Sequence, residues 1–278
     1  MSNGKEEFIS VVIPTYNRKD VLFKAVDNVL QQSYKNIEIV VVDDSEESCL
    51  DELNKKLDGQ SGRTLQYVFN GRPVGANKAR NQGIDNASGS FIAFLDDDDE
   101  WDRTKLEKQL QVMKRYSDCP LVTCGALDYR YGRKYEEYPL VVATQKDVLN
   151  AFSYSSTSAY FFRASVLRCY RFDESLVSGQ EYELAIQVSK FHKVRSVPEI
   201  LVTQNVSEGQ ISTNWQRKIK GIRGVYGKHK QSFLDASWIN RFKVFGIVIM
   251  FYLANWIGEK RVFGVLQVFK KRHNRSMD

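Results

Sequence analysis

Four cysteines, Cys49, Cys119, Cys124 and Cys169, are too few and too scattered for a zinc site or a disulfide scaffold. Buried thiols in a reducing compartment are expected instead. Three histidines, His192, His229 and His273, fall in no motif, so no imidazole-based centre is legible. The opening MSNGKEEFIS lacks the basic and then apolar layout of a secretory signal, and the chain is expected to stay in the cytoplasm. The apolar stretch Val244 to Gly258 has fifteen residues, short of the ~20 that cross a bilayer. There is no internal repeat and no low-complexity linker ahead of the basic C-terminal region. One charge is locally missing as well: no acidic residue stands between Gln210 and Leu234, where Arg217, Lys218, Lys220, Arg223, Lys228 and Lys230 do. With a second basic group ending in KKRHNR, this gives the net charge of +6 a C-terminal bias, pointing to an anionic partner: a membrane surface, nucleic acid or a phosphorylated substrate.

What is present is a regular alternation. At 278 residues, with 42% hydrophobic and 27% charged residues, the chain suits one large α/β domain, or a domain with an appendage, around a packed core. FISVVIP (8–14) and IEIVVVDD (37–44) are β-branched runs of the kind buried on both faces, LQYVFN (65–70) is a shorter one, and FIAFLDDDD (91–99) is a fourth. Between them, residues 19–32, the Leu50, Leu53, Leu57 series and GANKARNQGIDNA (75–87) carry helical spacing, the last ending at Gly89 or its neighbours. Strands parted by helices imply βαβ units and a mostly parallel sheet covered on both faces. Beyond residue 103 the pattern loosens. PLVTCGALDY reads as a strand, STSAYFFRASVL as a strand into a helix, and QEYELAIQVSKF as a helix with Leu184, Ala185, Val188 and Phe191 inward. VRSVPEILVTQNV reads as a final strand.

The segment FIAFLDDDDEW sets four carboxylates, Asp96 to Asp99, at the lip of a core strand. Two like charges ~5 Å apart repel by roughly 1 kcal/mol in water and ~3 kcal/mol at an effective dielectric of about 20, so such a run is costly without a cation. In open α/β sheets ligands bind outside the carboxyl ends of the strands. Here PTYNR ends the first strand, DDS the second and DDDDEW the fourth, so polar and acidic groups meet at one rim.

SVVIPTYNR, IEIVVVDDS, GANKARNQGI, GSFIAFLDDDDEW, FDESLVSGQEYELAIQ and VSEGQIS, taken in order, resemble the inverting family 2 glycosyltransferases with the GT-A fold, over roughly Ile9 to Ser212. The resemblance implies a Rossmann-like α/β domain with a mostly parallel central sheet and helices on both faces. It also implies a nucleotide-sugar donor, most simply a UDP-sugar, and Mn²⁺ or Mg²⁺ as cofactor. In the family an Asp-x-Asp element serves the cation. Alternation puts Asp96 and Asp98 on one face and Asp97 and Asp99 on the other, toward solvent or a helix end. Asp98 is therefore expected as the metal ligand, with Asp96 on the donor sugar or ribose and Asp97 within the donor site. An acid at the place of Asp99 is also common in the family, which leaves the register open by one residue. Pro14, Thr15, Tyr16 and Arg18 match the base-proximal turn, with Tyr16 able to stack on a ring. Asp44 matches the acid that accepts from a uracil imide, Asp43 being the weaker alternative, and Arg80 matches the helix residue that orients the first Asp and the donor.

Inversion by single displacement needs a carboxylate to take the acceptor's proton. Relatives usually offer Glu-Asp there; this chain reads Gln180-Glu181, which makes Glu181 the expected base, with Glu183 in reserve. A second departure is Ser207, where relatives often carry His. Residues 1–212 are expected to form the catalytic domain, with a nucleotide half at 8–102 and an acceptor half at 103–212. Residues 213–278 are expected to form a basic, apolar helical region lying on the membrane surface. The implied role is extension of a glycan, a lipid-linked oligosaccharide of a bacterial surface polysaccharide, at the inner face of the membrane. The rivals are a nucleotide-sugar-binding homologue without transferase activity and a nucleic-acid-binding protein. The basic region lacks the stacking aromatics and modules that nucleic acid requires.

Overall fold

A computed structural model of the chain describes residues 7–130, 133–151, 155–205 and 215–236, together with Gly246 and Ile249. The motif at 206–212 and the apolar stretch after 243 therefore lie outside the described residues, those two positions excepted. The nucleotide half opens with β1 (Ile9–Thr15), α1 (Lys19–Leu30), β2 (Ile37–Asp43), α2 (Leu50–Leu57), β3 (Arg63–Phe69), α3 (Ala76–Asn86) and β4 (Phe91–Phe94). Then follow β5 (Asp99–Trp101), α4 (Lys105–Arg115), β6 (Leu121–Arg130), β7 (Arg133–Glu137), β8 (Val142–Ala143) and α5 (Gln145–Ala151). The last elements are β9 (Phe161–Arg163), α6 (Gln180–Ser189), β10 (Val194–Asn205), α7 (Trp215–Lys228) and α8 (Lys230–Ala236).

The β-branched runs behave as their composition dictates. Every residue of β2 is buried, and in β1 only Pro14 is partly open. Such strands must be covered on both faces, which the parallel pairings β3–β2–β1–β4 and the flanking helices achieve. One face packs Val11, Ile13, Ile39 and Val41 against Leu22, Val26 and Val29 of α1; the other packs Val12 and Val40 with Ile84 of α3. At ~1.5–3 kcal/mol for each fully buried Val, Leu or Ile, these strands and helices anchor the fold.

The full order is β3-β2-β1-β4-β9-β6-β10-β5, so the sheet is mixed. β9 runs antiparallel between β4 and β6, β10 is parallel to β6, and β5 is antiparallel to β10. The fourth strand is shorter than the sequence suggested: it ends at Phe94, and the acidic run turns, with the Asp99 amide donating to the Asp96 carbonyl at 3.0 Å. Asp99 then opens a separate strand. Other expectations are corrected too. After β9 the chain makes only a 3₁₀ turn at Val166–Arg168, not a helix. α3 stops at Asn86, ahead of Gly89. Phe191 falls beyond the end of α6 and is 69% exposed, because the helix stops at Ser189 before that residue can turn inward. Of the four cysteines Cys169 is exposed; the other three are buried. Residues 215–236 pack on the domain, with Val225 of α7 and Phe233 of α8 sharing a core with Tyr182 and Leu184 of α6.

Candidate active site

The carboxyl ends of β1, β2 and β4 bring Thr15, Asp43, Asp44 and the acidic turn to one rim, as the topology requires. The parity read from the sequence survives although the segment is a turn, but the pair expected to face solvent or a helix end is the buried one. Asp97 and Asp99 are the buried carboxylates, and Asp96 and Asp98 are the partly open ones, with side chains 28% and 27% exposed. Asp97 is held from β1 and the start of α1: the Thr15 hydroxyl donates to it at 2.8 Å and the Arg18 guanidinium pairs with it. Arg18 also reaches Asp98 at 3.0 Å and so bridges the turn. Burial pushes the Asp97 carboxyl up to about 6, with Arg18 and Thr15 opposing and Asp98 and Asp96 adding to the rise.

Asp99 is held from the other half. Ser158 donates to it at 2.6 Å, and the same hydroxyl accepts the Asp96 amide at 3.1 Å. Burial, with the Asp96 charge second, lifts Asp99 well above the usual carboxylate range. Behind them Trp101 donates its indole N–H to the Ser158 carbonyl at 2.8 Å, and the buried Lys105 ammonium lies 3.9 Å from the Trp101 ring centre. Neither Ser158 nor Lys105 was legible as a support of the turn, since each acts through contacts made by distant parts of the chain.

Arg80 projects from α3 beneath the turn. It is 5% exposed and donates to Asp96 at 2.5 Å, while its Nε and Nη1 are buried with no hydrogen-bond partner. The Phe172 ring lies 5.6 Å from its guanidinium. Buried donors left unpaired cost roughly 1–3 kcal/mol each, more on a charged group, so this cation is poised for an additional acceptor.

Around the nucleotide side, Asp44 accepts from Asn70 at 2.8 Å and from the Val74 and Gly75 amides at 3.0 and 3.3 Å, fixing the loop that leads into α3. Asp43 accepts from the Tyr67 hydroxyl at 2.5 Å and the Ser45 amide at 2.8 Å, which makes it a buried organiser of its own turn. Pro14 is partly buried in β1, whereas Tyr16 is 45% exposed at the rim, available to a ligand.

The expected base stands at the start of α6. Gly179, with φ of 76°, takes the left-handed conformation that begins this helix, a conformation a side chain would strain. Glu181 in the first turn is half-buried, and the Tyr160 hydroxyl donates to its carbonyl at 2.9 Å. Burial raises the Glu181 carboxyl; the Arg80 and Lys218 charges oppose this and Asp96 adds to it, which brings base, turn and arginine into one electrostatic neighbourhood. Glu183, two residues on, lies on the other side of the helix. It is 3% exposed, 2.8 Å from Nε2 of His229 and 2.6 Å from the Gln187 amide nitrogen, so it is not open to a substrate.

Among the described residues no group of three or more His, Cys, Asp and Glu side chains converges as a complete ligand set. Asp96 and Asp98 supply two hard, partly open oxygen donors. A hard divalent cation such as Mg²⁺ or Mn²⁺, which accepts oxygen donors and commonly keeps several waters, would suit these two carboxylates.

A family model for glycosyl transferase family 2 matches residues 10–170. The amylovoran biosynthesis glycosyltransferase AmsB of Erwinia amylovora is 26% identical over 235 residues, covering 78% of this chain and 74% of that one. The UDP-Glc:alpha-D-GlcNAc-diphosphoundecaprenol beta-1,3-glucosyltransferase WfaP of Escherichia coli is 39% identical over 109 residues, 39% of this chain and 42% of that one. Among solved structures, the mannosyltransferase PcManGT from Pyrobaculum calidifontis, in complex with GDP-Man and Mn2+, superposes with a TM-score of 0.65 at 15% identity. The match covers 94% of this chain and 79% of that one. At that identity the likeness establishes the fold.

Proposed function

The chain belongs to glycosyl transferase family 2 and is a glycosyltransferase of the GT-A fold, and from that premise we propose that it transfers a sugar with inversion from a UDP-sugar to a lipid-linked glycan. The observation that carries this reading is the convergence of Glu181, Arg80 and Asp96 at the rim, drawn from three separate elements. The WfaP name, with a UDP-linked donor and a diphosphoundecaprenol acceptor, supports the donor and acceptor classes; AmsB supports polysaccharide biosynthesis.

Tyr16 lies open at the rim to stack on a base, and the buried Asp44, held by Asn70 and the Val74 and Gly75 amides, orders the loop at the neighbouring strand end beside which the base would lie. Pro14 and Asp43 shape the floor and turn of this nucleotide side. Asp98, with Asp96 beside it, would hold Mn²⁺ or Mg²⁺, which supplies positive charge to the leaving diphosphate when bound. Arg80 keeps Asp96 oriented and retains two donors for the nucleotide sugar. Arg18 and Thr15 fix Asp97, so the turn is organised before substrate arrives. Glu181 accepts the proton of the attacking hydroxyl. Its raised pKa makes it a stronger base than an exposed glutamate, and the rate should fall as pH drops through that raised value. The apolar, basic segment after residue 237 is assigned to the inner membrane surface, which would keep the enzyme near a lipid-linked acceptor; no helix among the described residues is long and apolar enough to cross a membrane.

The test is transfer itself. Purified protein with Mn²⁺, a panel of nucleotide sugars and lipid-linked acceptors should release UDP from one donor only when acceptor is present. Intact donors throughout would overturn the reading.

A further inference from the structure

The segment that delivers Glu181 lies between two helices. On one side is α7, so close that a Cβ at Gly221 would stand 2.3 Å from the Ser178 carbonyl oxygen, an approach only glycine allows. On the other side is α3, which belongs to the donor half. Its own seat is fixed: Asp44 accepts from the Val74 and Gly75 amides at its start, and a Cβ at Gly83 would stand 2.2 Å from Cγ1 of Val12 in β1. From that seat it holds the base segment by two asparagines. Asn81 exchanges hydrogen bonds with the backbone of Phe172, donating to its carbonyl at 2.9 Å and accepting its amide at 3.1 Å.

Asn77 reaches further along. It is 8% exposed, and its Nδ2 donates to the Asp173 carbonyl at 2.8 Å and to the Leu176 carbonyl at 2.9 Å. The Leu176 amide donates to the same Asp173 carbonyl at 3.2 Å, so one side-chain nitrogen grips both ends of a single four-residue turn. A primary amide nitrogen carries two hydrogens, and here each has an acceptor; a hydroxyl offers one and a carboxylate none. Three residues after this turn comes Gly179, whose left-handed backbone starts α6, and then Glu181 in the first turn of the helix. Arg80, one helical turn after Asn77 on the same face of α3, donates to Asp96. One rigid element therefore holds the acidic turn with one side chain and the base segment with the other.

Resting on the reading of Glu181 as base, we propose that Asn77 is a positioning residue for the transfer: by stapling the 173–176 turn to α3 it sets where Glu181 stands relative to Asp96. In a single displacement the base must lie across the reacting carbon from the leaving group, so the spacing between these two carboxylates decides whether attack is in line. A misplacement of about 1 Å can cost on the order of 10²-fold in rate. Asn77 is itself buried, and its effect runs through Glu181.

The experiment uses the full chain with the donor and acceptor that the transfer panel selects, reading kcat as UDP release and UDP affinity with Mn²⁺ by calorimetry. Asn77→Ala should lower kcat about 10- to 100-fold while UDP affinity stays within a few-fold. Asn77→Gln, which keeps the two-hydrogen amide, should recover part of the loss, and Asn77→Asp, of the same size but without a hydrogen to donate, should not. In a Glu181→Gln background, Asn77→Ala should cost less than about threefold, because the group it positions is already gone. Should the alanine protein not fold, Asn77→Ser, with one hydrogen left, runs the same cycle with a smaller loss. An equal fold-loss in both backgrounds, a parallel loss of UDP affinity or an unchanged kcat in Asn77→Ala would overturn the proposal. The base reading fails separately: Glu181→Gln at wild-type kcat would sink it and the positioning role with it, whereas an impaired Glu181→Gln with equal Asn77 losses would sink the positioning role alone.

Discussion

The acidic turn after β4 and the first turn of α6 both alternate a half-buried carboxylate with a buried one, yet they are secured in opposite ways. In the turn, Asp97 is held by Thr15 and Arg18, from the first strand and helix of the same βαβ layer, and Asp99 by Ser158, in the 3₁₀ turn that leads into the central strand β9. At α6, the buried Glu183 is held by His229, 46 residues onward, in the turn between α7 and α8 outside that layer. Donor-side geometry is thus built into the sheet, while acceptor-side geometry depends on helices docked from the C-terminal end. The two halves of the site should therefore fail differently when disturbed.

The largest effect expected is at the half-buried Glu181. Glu181→Gln should lower kcat by about 10²–10⁴-fold, the usual worth of a general base, while UDP affinity measured by calorimetry stays within a few-fold. Comparable loss of UDP binding would show that Glu181 belongs to the donor side. Next comes Arg80→Lys, which keeps a charge but loses the planar fork beneath Asp96. It should cut donor kcat/KM by about tenfold or more and weaken cation-dependent UDP binding in parallel. If acceptor KM alone moved, the division between the halves would be wrong.

A smaller and more selective change is expected from His229→Ala. It removes the partner of a buried glutamate, so thermal unfolding should show a loss of about 2 kcal/mol. The effect on function should be confined to acceptor KM and kcat, with UDP affinity unchanged. Equal loss on donor and acceptor sides would mean that the C-terminal helices brace the whole sheet rather than the base.

How far each half can be read from the sequence follows from the same contrast. β1 and β2 were legible because strands buried on both faces leave near-continuous β-branched runs, and their polar ends marked the rim. The acidic turn was legible as a site, but not in its conformation. Leu95 prolongs the apolar run past the true strand end at Phe94, and burial of Asp97 depends on an arginine 79 positions earlier. β9 was recognisable as a strand but not as the antiparallel insert that makes the sheet mixed, because its three residues carry no directional signal. On the acceptor side, His229 fell in no motif and the stretch that forms α7 read as the start of a basic region lying on the membrane surface. Its packing is encoded by Gly221, Val225 and Phe233, whose partners lie far away in the chain.

The smallest effect isolates the support behind the acidic turn. Lys105 is fully buried, donates to Gln109 at 2.8 Å and packs on Trp101, the residue that fixes Ser158. Burial holds its ammonium down to about 8. An unfolded lysine keeps its proton to ~10.4, so between those values the unfolded chain binds more protons than the native one, and stability rises with pH across that window. Lys105→Met removes this term. Burial pushes the nearby Cys124 thiol up to about 11, against the opposing Lys105 charge, and this rise acts in the opposite sense from ~8.5 upward in both proteins. Urea unfolding at pH 7.5 and 9.5 should show the wild type gaining roughly 1–2 kcal/mol relative to Lys105→Met. Parallel curves would mean that the ammonium stays charged inside the fold, and the acidic turn would then rest on a buried cation instead of a neutral amine.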